Sequence, residues 1–326
     1  MSARILIRLR AASIAASVAA LLLIQGCATA QPGGPTFVQA PPTPAVEVVP
    51  LPNQANSFKF AVLGDFGNGS SAQYQLAEQM FKTHGTFPFG VVLLTGDNIY
   101  GSERPQDFVS KFETPYKPLL DAKVRFFASL GNHDSREQRS YRLFNMNGEL
   151  YYTFNPSPDI RFFALESTYM EPEQVAWLER ELKASSSDWK IVYLHHPLYS
   201  SGERHGSDLR LRAAIEPLFV TYNVSVVFAG HDHFYERVMP QKGILHFVIG
   251  SGGQLRRGNI DRSTGITARG FDTDLAFLVG EIMGDQMTFQ AISRTGAVVD
   301  SGSVTRRKPA EGPAQATTQP TEAARP

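Results

Sequence analysis

Several residues of metal-binding type stand immediately after short apolar runs. FAVLG leads into Asp65, VVLLTG into Asp97 and RFFASLG into Asn132 and His133. IVYL leads into His195, and VVFAG into His231 with His233 two residues on. Carboxylate and amide oxygens with imidazole nitrogens suit Zn, Fe or Mn, and the lack of thiolates argues against a soft-metal site. Two adjacent cations repel, so a carboxylate bridging them is expected. From spacing alone, either Asp65 or Asp97 qualifies as the bridge.

The apolar runs have strand length, and in an open α/β sheet the carboxyl ends of the strands face the crevice where ligands bind. Five such strands would bring Asp, Asp, Asn, His and His-x-His to one edge, a candidate two-metal site. Lys59–Leu63 and Val91–Thr95 read as strands with a helix, Ala72–Lys82, between them, which implies a parallel βαβ unit. Gln106–Leu120 reads as helical and broken by Pro115 and Pro118, ahead of a strand at Val124–Ser129. Tyr151–Phe154 and Arg161–Leu165 form an expected hairpin, and Pro172–Ser185 the clearest helix, with Pro in its first turn. Lys190–Leu194 and Val224–Ala229 read as buried strands flanking a helix over Asp208–Thr221. The last third, with Ile244–Ile249, Leu275–Ile282, Met287–Ser293 and Val298–Ser301, reads as mostly antiparallel strands. Two packed sheets with helices outside, in one α/β domain, are expected.

Taken together, GDFG (64–67), GDNIY (96–100), GNHD (131–134), YLHHP (193–197) and GHDH (230–233) resemble the motif set of the calcineurin-like metallophosphoesterases. The chain is more narrowly similar to the compact, single-domain purple acid phosphatases of the tartrate-resistant type. That resemblance implies a four-layer α/β/β/α sandwich of two mixed sheets flanked by helices. It implies one metal held by Asp65, Asp97, Tyr100 and His233, and a second by Asp97, Asn132, His195 and His231, with Asp97 as the bridge. The cofactor implied is a dinuclear centre of Fe(III) with Zn, Fe or Mn. Tyr100 carries the narrowing, because the family's GDxxY tyrosine binds ferric iron as phenolate. A phenol ionises only near pH 10 unaided, so a strongly Lewis-acidic metal is needed.

The resemblance also assigns proton transfer to His133 and to His205, ten residues after His195; imidazole titrates close enough to working pH for that task. His196 reads as a solvated or supporting group, Asp134 receives no assignment, and His84 and His246 receive no role. Glu236 and Arg237 read as an ion pair, and Gly250–Gly253 as glycines permitting close backbone approach. The arginines of the 254–274 loop, Arg256, Arg257, Arg262 and Arg269, are candidates to reach the pocket or to stay in solvent. The function implied is hydrolysis of phosphomonoesters by metal-activated hydroxide, without a phosphoenzyme. A phosphodiesterase of the same fold, acting on cyclic nucleotides or on glycerol or lipid head groups, is the alternative. A catalytically inactive surface-binding lipoprotein is the third reading.

The termini carry a different message. Arg4, Arg8 and Arg10 precede an apolar stretch reaching Ile24, and Cys27 follows, which fits an export signal over 1–26. Ile24-Gln25-Gly26-Cys27 resembles a bacterial lipoprotein box, implying a lipid anchor at Cys27; Ala28 suggests sorting to the outer membrane. The expectation is an exported, membrane-anchored lipoprotein of the cell envelope. A Pro-rich tether is expected over 27–57, the domain over 58–305 and a disordered tail over 306–326. So short a tether leaves no room for the N-terminal β-sandwich of plant purple acid phosphatases. With Cys27 read as lipidated, no cysteine is expected to be available for their intersubunit bridge. Formal net charge is zero, which gives no basis for a nucleic-acid surface.

Overall fold

The apolar runs fold as strands buried on both faces, which is why they read as continuous rather than alternating stretches. The first half contributes β1 (Phe58–Leu63), α1 (Ser71–Thr86), β2 (Val91–Thr95), α2 (Pro105–Phe108), α3 (Lys117–Asp121) and β3 (Arg125–Ser129). Next come β4 (Tyr152–Ser157), β5 (Ile160–Ala164), α4 (Pro172–Ala184), β6 (Trp189–Tyr193) and α5 (Leu209–Thr221). β7 (Val226–Ala229), β8 (Tyr235–Val238) and β9 (Leu245–Ile249) follow. The chain closes with β10 (Thr267–Phe271), β11 (Ala276–Met283), β12 (Gln286–Ser293) and β13 (Val298–Thr305). This computed structural model describes residues 47–308. The expected signal segment, Cys27, most of the tether and most of the tail lie outside the described residues.

One sheet runs β13-β12-β11-β1-β2-β3 and the other β10-β8-β9-β7-β6-β5-β4. Both are mixed. β1, β2 and β3 are parallel, whereas β11, β12 and β13 add antiparallel strands. In the second sheet β5, β6, β7 and β9 are parallel, and β4, β8 and β10 antiparallel.

The alternation along β1 shows how the layers stack. Phe60 and Val62 point between the sheets, into a core with Phe162, Ile191, Phe228, Phe247 and Leu278. Ala61 and Leu63 point outward to Leu76, Met80, Phe112 and Leu119 of the helical layer. On the far side Val192 and Val227 meet Leu178 and Leu182 of α4 and Ile215 and Phe219 of α5. The result is helix, sheet, sheet, helix, as expected.

Local departures have physical causes. The stretch read as one broken helix is α2, a π-helical turn at Val109–Glu113 and α3. Pro115 falls in the gap, where it disrupts no helical bond, and Pro118 sits in the first turn of α3, where a missing N–H costs nothing. β8 and β10, not read from sequence, are short and polar. β9 runs parallel to β7, within a region read as mostly antiparallel.

The domain also extends past both expected boundaries. Ahead of β1, the backbone N–H groups of Asn53 and Gln54 and the Ser57 hydroxyl donate to the buried Glu281 carboxylate of β11, at 2.6–2.7 Å. Val49 N–H donates to Ser301 Oγ of β13 at 2.8 Å. Residues 47–57 are therefore docked rather than a free tether. After β13, Arg306 pairs with Asp285 at 2.6 Å, and Arg307 donates to the carbonyls of Phe219 and Val224. Residues 306–308 thus belong to the domain, not to a disordered tail.

Candidate metal centre

Three donors leave their strands through a glycine: Gly64 before Asp65, Gly96 before Asp97 and Gly230 before His231. All three donors then adopt left-handed backbone, with φ of 55°, 52° and 71°. That region is sparsely used by residues other than glycine, and such conformations cluster at functional sites. Here they turn side chains out of the strand path and over the sheet edge. The glycines supply room for them. A Cβ at Gly131 would overlap the Asp97 carboxylate, and one at Gly230 the Asp65 carboxylate.

The side chains converge in two adjoining groups. In the first, the Tyr100 hydroxyl lies 2.9 Å from Asp97 Oδ2, 3.2 Å from Asp65 Oδ1 and 3.3 Å from His233 Nε2. A single phenolic proton cannot serve three acceptors. In the second, His195 Nε2 lies 3.0 Å from Asn132 Oδ1, 3.4 Å from Asp97 Oδ1 and 3.1 Å from His231 Nδ1. His195 Nδ1 is 2.9 Å from the Thr95 carbonyl, which can only accept, so Nδ1 carries the hydrogen and Nε2 presents a lone pair. In the second group the His195 Nε2 lone pair thus faces the Asn132 and Asp97 oxygens, while in the first, three acceptors surround one phenolic oxygen. Asp97 spans the two groups, with Oδ2 on the Tyr100 side and Oδ1 on the His195 side.

Electrostatics agree with this picture. Burial, reinforced by Asp97, pushes the Asp65 carboxyl well above its ordinary range. Burial, then neighbouring His196, pushes His195 well down; burial, then His195, does the same to His231. Burial and the nearby Arg256 bring His233 to about 4. The Asp65 carboxyl, which resists ionising, beside imidazoles that resist protonation makes a cluster short of positive charge. Divalent or trivalent cations would stabilise the deprotonated form of each group. The donor set of oxygen and nitrogen, without sulfur, fits Zn, Fe or Mn.

All seven sequence-predicted metal-binding residues are brought together. His133 donates its backbone N–H to Asp97 Oδ1 at 2.9 Å, and its ring packs 4.9 Å from that of Tyr100. The exposed His205 ring lies 4.2 Å from His231. The two histidines therefore stand at opposite metal groups. His196 comes closer than the reading of a solvated or supporting group implied. One ring nitrogen falls within 4.8 Å of the donor atoms of His195 and His231, while its Nδ1 lies 3.0 Å from Ser167 Oγ.

Three further residues shape the site. The Asp134 carboxylate accepts from the backbone N–H groups of Asn98, Ile99 and Gly131 and from the Gln138 side chain, tying the loop of Asp97 to that of Asn132. Asp232, between two donor histidines, accepts from Ser200 Oγ at 2.5 Å and from Gly206 N–H at 3.1 Å, and so fastens the loop of His205. Arg256 is the member of the arginine loop that reaches the centre. Its backbone N–H donates to the His233 carbonyl, and its positive charge, after burial, lowers the pKa of both His233 and His205.

Arg269 instead donates to the Val299 carbonyl. Glu236 and Arg237 do not pair with each other, since neighbours on a strand face opposite ways. Glu236 accepts from Ser201 and Thr267, and Arg237 pairs with Asp300 at 2.7 Å. The 250–253 glycines do allow close backbone approach, with a Cβ at Gly252 crowding the Gly64 carbonyl.

Residues 58–235, more than half of the chain, match the family of calcineurin-like phosphoesterases. Purple acid phosphatase 17 of Arabidopsis thaliana is 29% identical over 247 residues, covering 64% of this chain and 72% of its own length. Tartrate-resistant acid phosphatase type 5 of Homo sapiens is 25% identical over 239 residues, covering 60% and 73%. Among solved structures, GAP50, the anchor in the inner membrane complex of Plasmodium, aligns with a TM-score of 0.66 at 20% identity, over 77% of this chain and 90% of that one. A purple acid phosphatase from yellow lupin (Lupinus luteus) seeds aligns with a TM-score of 0.63 at 18% identity, over 79% and 55%. The two structural likenesses show the shared sandwich fold.

Proposed function

The chain belongs to the calcineurin-like phosphoesterase family, and from that premise we propose that it hydrolyses phosphomonoesters at a dinuclear centre of the purple acid phosphatase type. The observation that carries the reading is the convergence of oxygen and nitrogen side chains on both carboxylate oxygens of Asp97, with the His195 Nε2 lone pair aimed at Asn132 and Asp97. Asp65, Tyr100 and His233 would hold one ion, a ferric iron, and Asn132, His195 and His231 the other, a Zn, Fe or Mn, with Asp97 between them. When bound, such a centre supplies Lewis acidity toward the phosphoryl group and a nucleophile derived from water.

The chain's own residues do the rest. His195 is locked in one tautomer by Thr95, so its orientation costs nothing at the moment of reaction. His205 and His133 flank the centre and are the groups placed to hold a proton for the departing alkoxide. Arg256 adds a cation on the Asp65 side, which supports a doubly charged monoester over a singly charged diester.

The test compares hydrolysis of para-nitrophenyl phosphate and bis(para-nitrophenyl) phosphate by the wild type, Asp97→Asn and Asn132→Ala. The expected result is preference for the monoester and a loss of about a hundredfold or more in both variants, the upper end of what weakened metal support costs. Preference for the diester would reassign the enzyme within the fold. Undiminished turnover in both variants would contradict the reading outright.

A further inference from the structure

A cleft of about 400 Å³ opens beside the second donor group and runs away from it toward the start of α5. His196, His205 and His231 line it on the side of the donor group, and Arg204 and Arg210 line it as well. A second hollow of about 280 Å³ adjoins it, sharing Asp208 and Arg210, and is floored by Met170, Leu211 and Ala214. The phosphoryl group would be held beside the donor group, so whatever lies along this cleft is the alcohol portion of the ester.

Two guanidinium groups against one carboxylate leave the cleft net positive. Among the described residues the ion pairs engage other cations, such as Arg237, Lys242 and Arg306, and leave Arg204 and Arg210 without a carboxylate partner. The one acid on the wall, Asp208, is already committed. Its Oδ1 accepts the backbone N–H groups of Arg210 and Leu211 at 3.0 and 2.9 Å, capping α5. That cap also occupies the first N–H groups of the helix, so the positive character of the cleft comes from the two guanidinium groups. Both are exposed, and Arg210 also lines the adjoining hollow with Met170, Leu211 and Ala214, so a charged ligand end can meet guanidinium groups beside apolar surface.

We propose that this cleft is a leaving-group subsite, and that the preferred substrates are phosphomonoesters whose alcohol portion carries its own anionic group, a second phosphate or a carboxylate. The inference rests on the phosphomonoesterase reading and specifies its substrate class. Arg204 and Arg210 act as specificity residues; they hold the far anion and take no part in bond breaking. Because both are exposed, their effect is modest and screened by salt.

The experiment compares kcat/KM for phenyl phosphate and 4-carboxyphenyl phosphate, in the wild type, in Arg204→Ala/Arg210→Ala and in Arg210→Lys, at low and high ionic strength. Intrinsic differences between the two esters cancel when the ratio of kcat/KM values is compared across variants. The ratio should fall about fivefold to tenfold in the double variant, the size expected of one or two exposed ion pairs. It should fall likewise in the wild type at high salt, and be largely retained by the lysine variant. A ratio unchanged by the double substitution and by salt overturns the subsite while leaving the phosphatase intact. Turnover of neither ester by the wild type overturns the phosphomonoesterase reading, and the subsite with it.

Discussion

At the scale of single residues, burial decides what each histidine can do. His246 has the same chemistry as the donors but lies 2% exposed in β9, against the Tyr199 ring at 4.9 Å and away from the centre. Burial pushes its imidazole from 6.5 down to about 3, with Glu216 and Arg212 acting in opposite senses. The unfolded chain takes up this proton near 6.5 and the folded chain only near 3, so the unfolded state binds more protons between those values. His246 therefore contributes stability that is complete above 6.5 and lost as the pH falls toward 3. Wild-type Tm should drop through that window, and His246→Leu should flatten the drop; an unchanged slope in the variant would contradict the assignment.

The candidate metal ligands are legible in the sequence because each belongs to a short glycine-bearing block that follows a strand-like run. His246 was legible only as a histidine outside those blocks. Its burial depends on long-range packing of β9, including against Tyr199 of the 198–207 loop, which no local pattern encodes.

At the scale of elements, the site is a property of strand ends. β1, β2, β3, β6 and β7 end on one edge because parallel strands share a direction, and that much follows from hydrophobic runs and their order. The loops that complete the site follow from tertiary contact instead. The 198–207 loop owes its position to Asp232, to Glu236 accepting the Ser201 N–H, and to an isolated bridge between Gly202 and Ile260. None of these partners is near in sequence, which is why Asp232 drew no attention between two histidines that did.

Asp232 is a positioning residue for His205. Asp232→Ala should lower kcat by about tenfold or more, within the range for loss of a supporting hydrogen bond at a metal site. Asp232→Asn, which keeps an acceptor for Ser200 and Gly206, should recover part of it at equal metal content. An asparagine variant no better than alanine would show that the effect is structural rather than positional.

At the scale of the molecule, two mixed sheets enclose one core while the helices seal their outer faces, leaving the donor edge open. The candidate donor set lies at that open edge. At the opposite side of the first sheet, residues 47–57 are strapped to β11 and β13 through Glu281 and Ser301. A proline-rich composition concealed this docking, because the contacts are made by backbone groups that composition does not report. Glu281→Ala leaves three donors without their acceptor and should cost about 1–3 kcal/mol of stability in denaturant unfolding, with kcat unchanged. Unaltered stability would mean the strap carries no load.

The whole account turns on Tyr100, whose oxygen sits among Asp65, Asp97 and His233. Burial and the two carboxylates push its phenol far above the ordinary range, so only a strongly Lewis-acidic ion could hold it as phenolate. The most direct measurement is the visible absorption spectrum of the purified chain together with its metal content. The prediction is an iron-containing dinuclear centre with a charge-transfer band in the green region, bleached by reduction of the ferric ion and absent in Tyr100→Phe. A colourless protein carrying only zinc or manganese, with a spectrum indifferent to Tyr100→Phe, would contradict it.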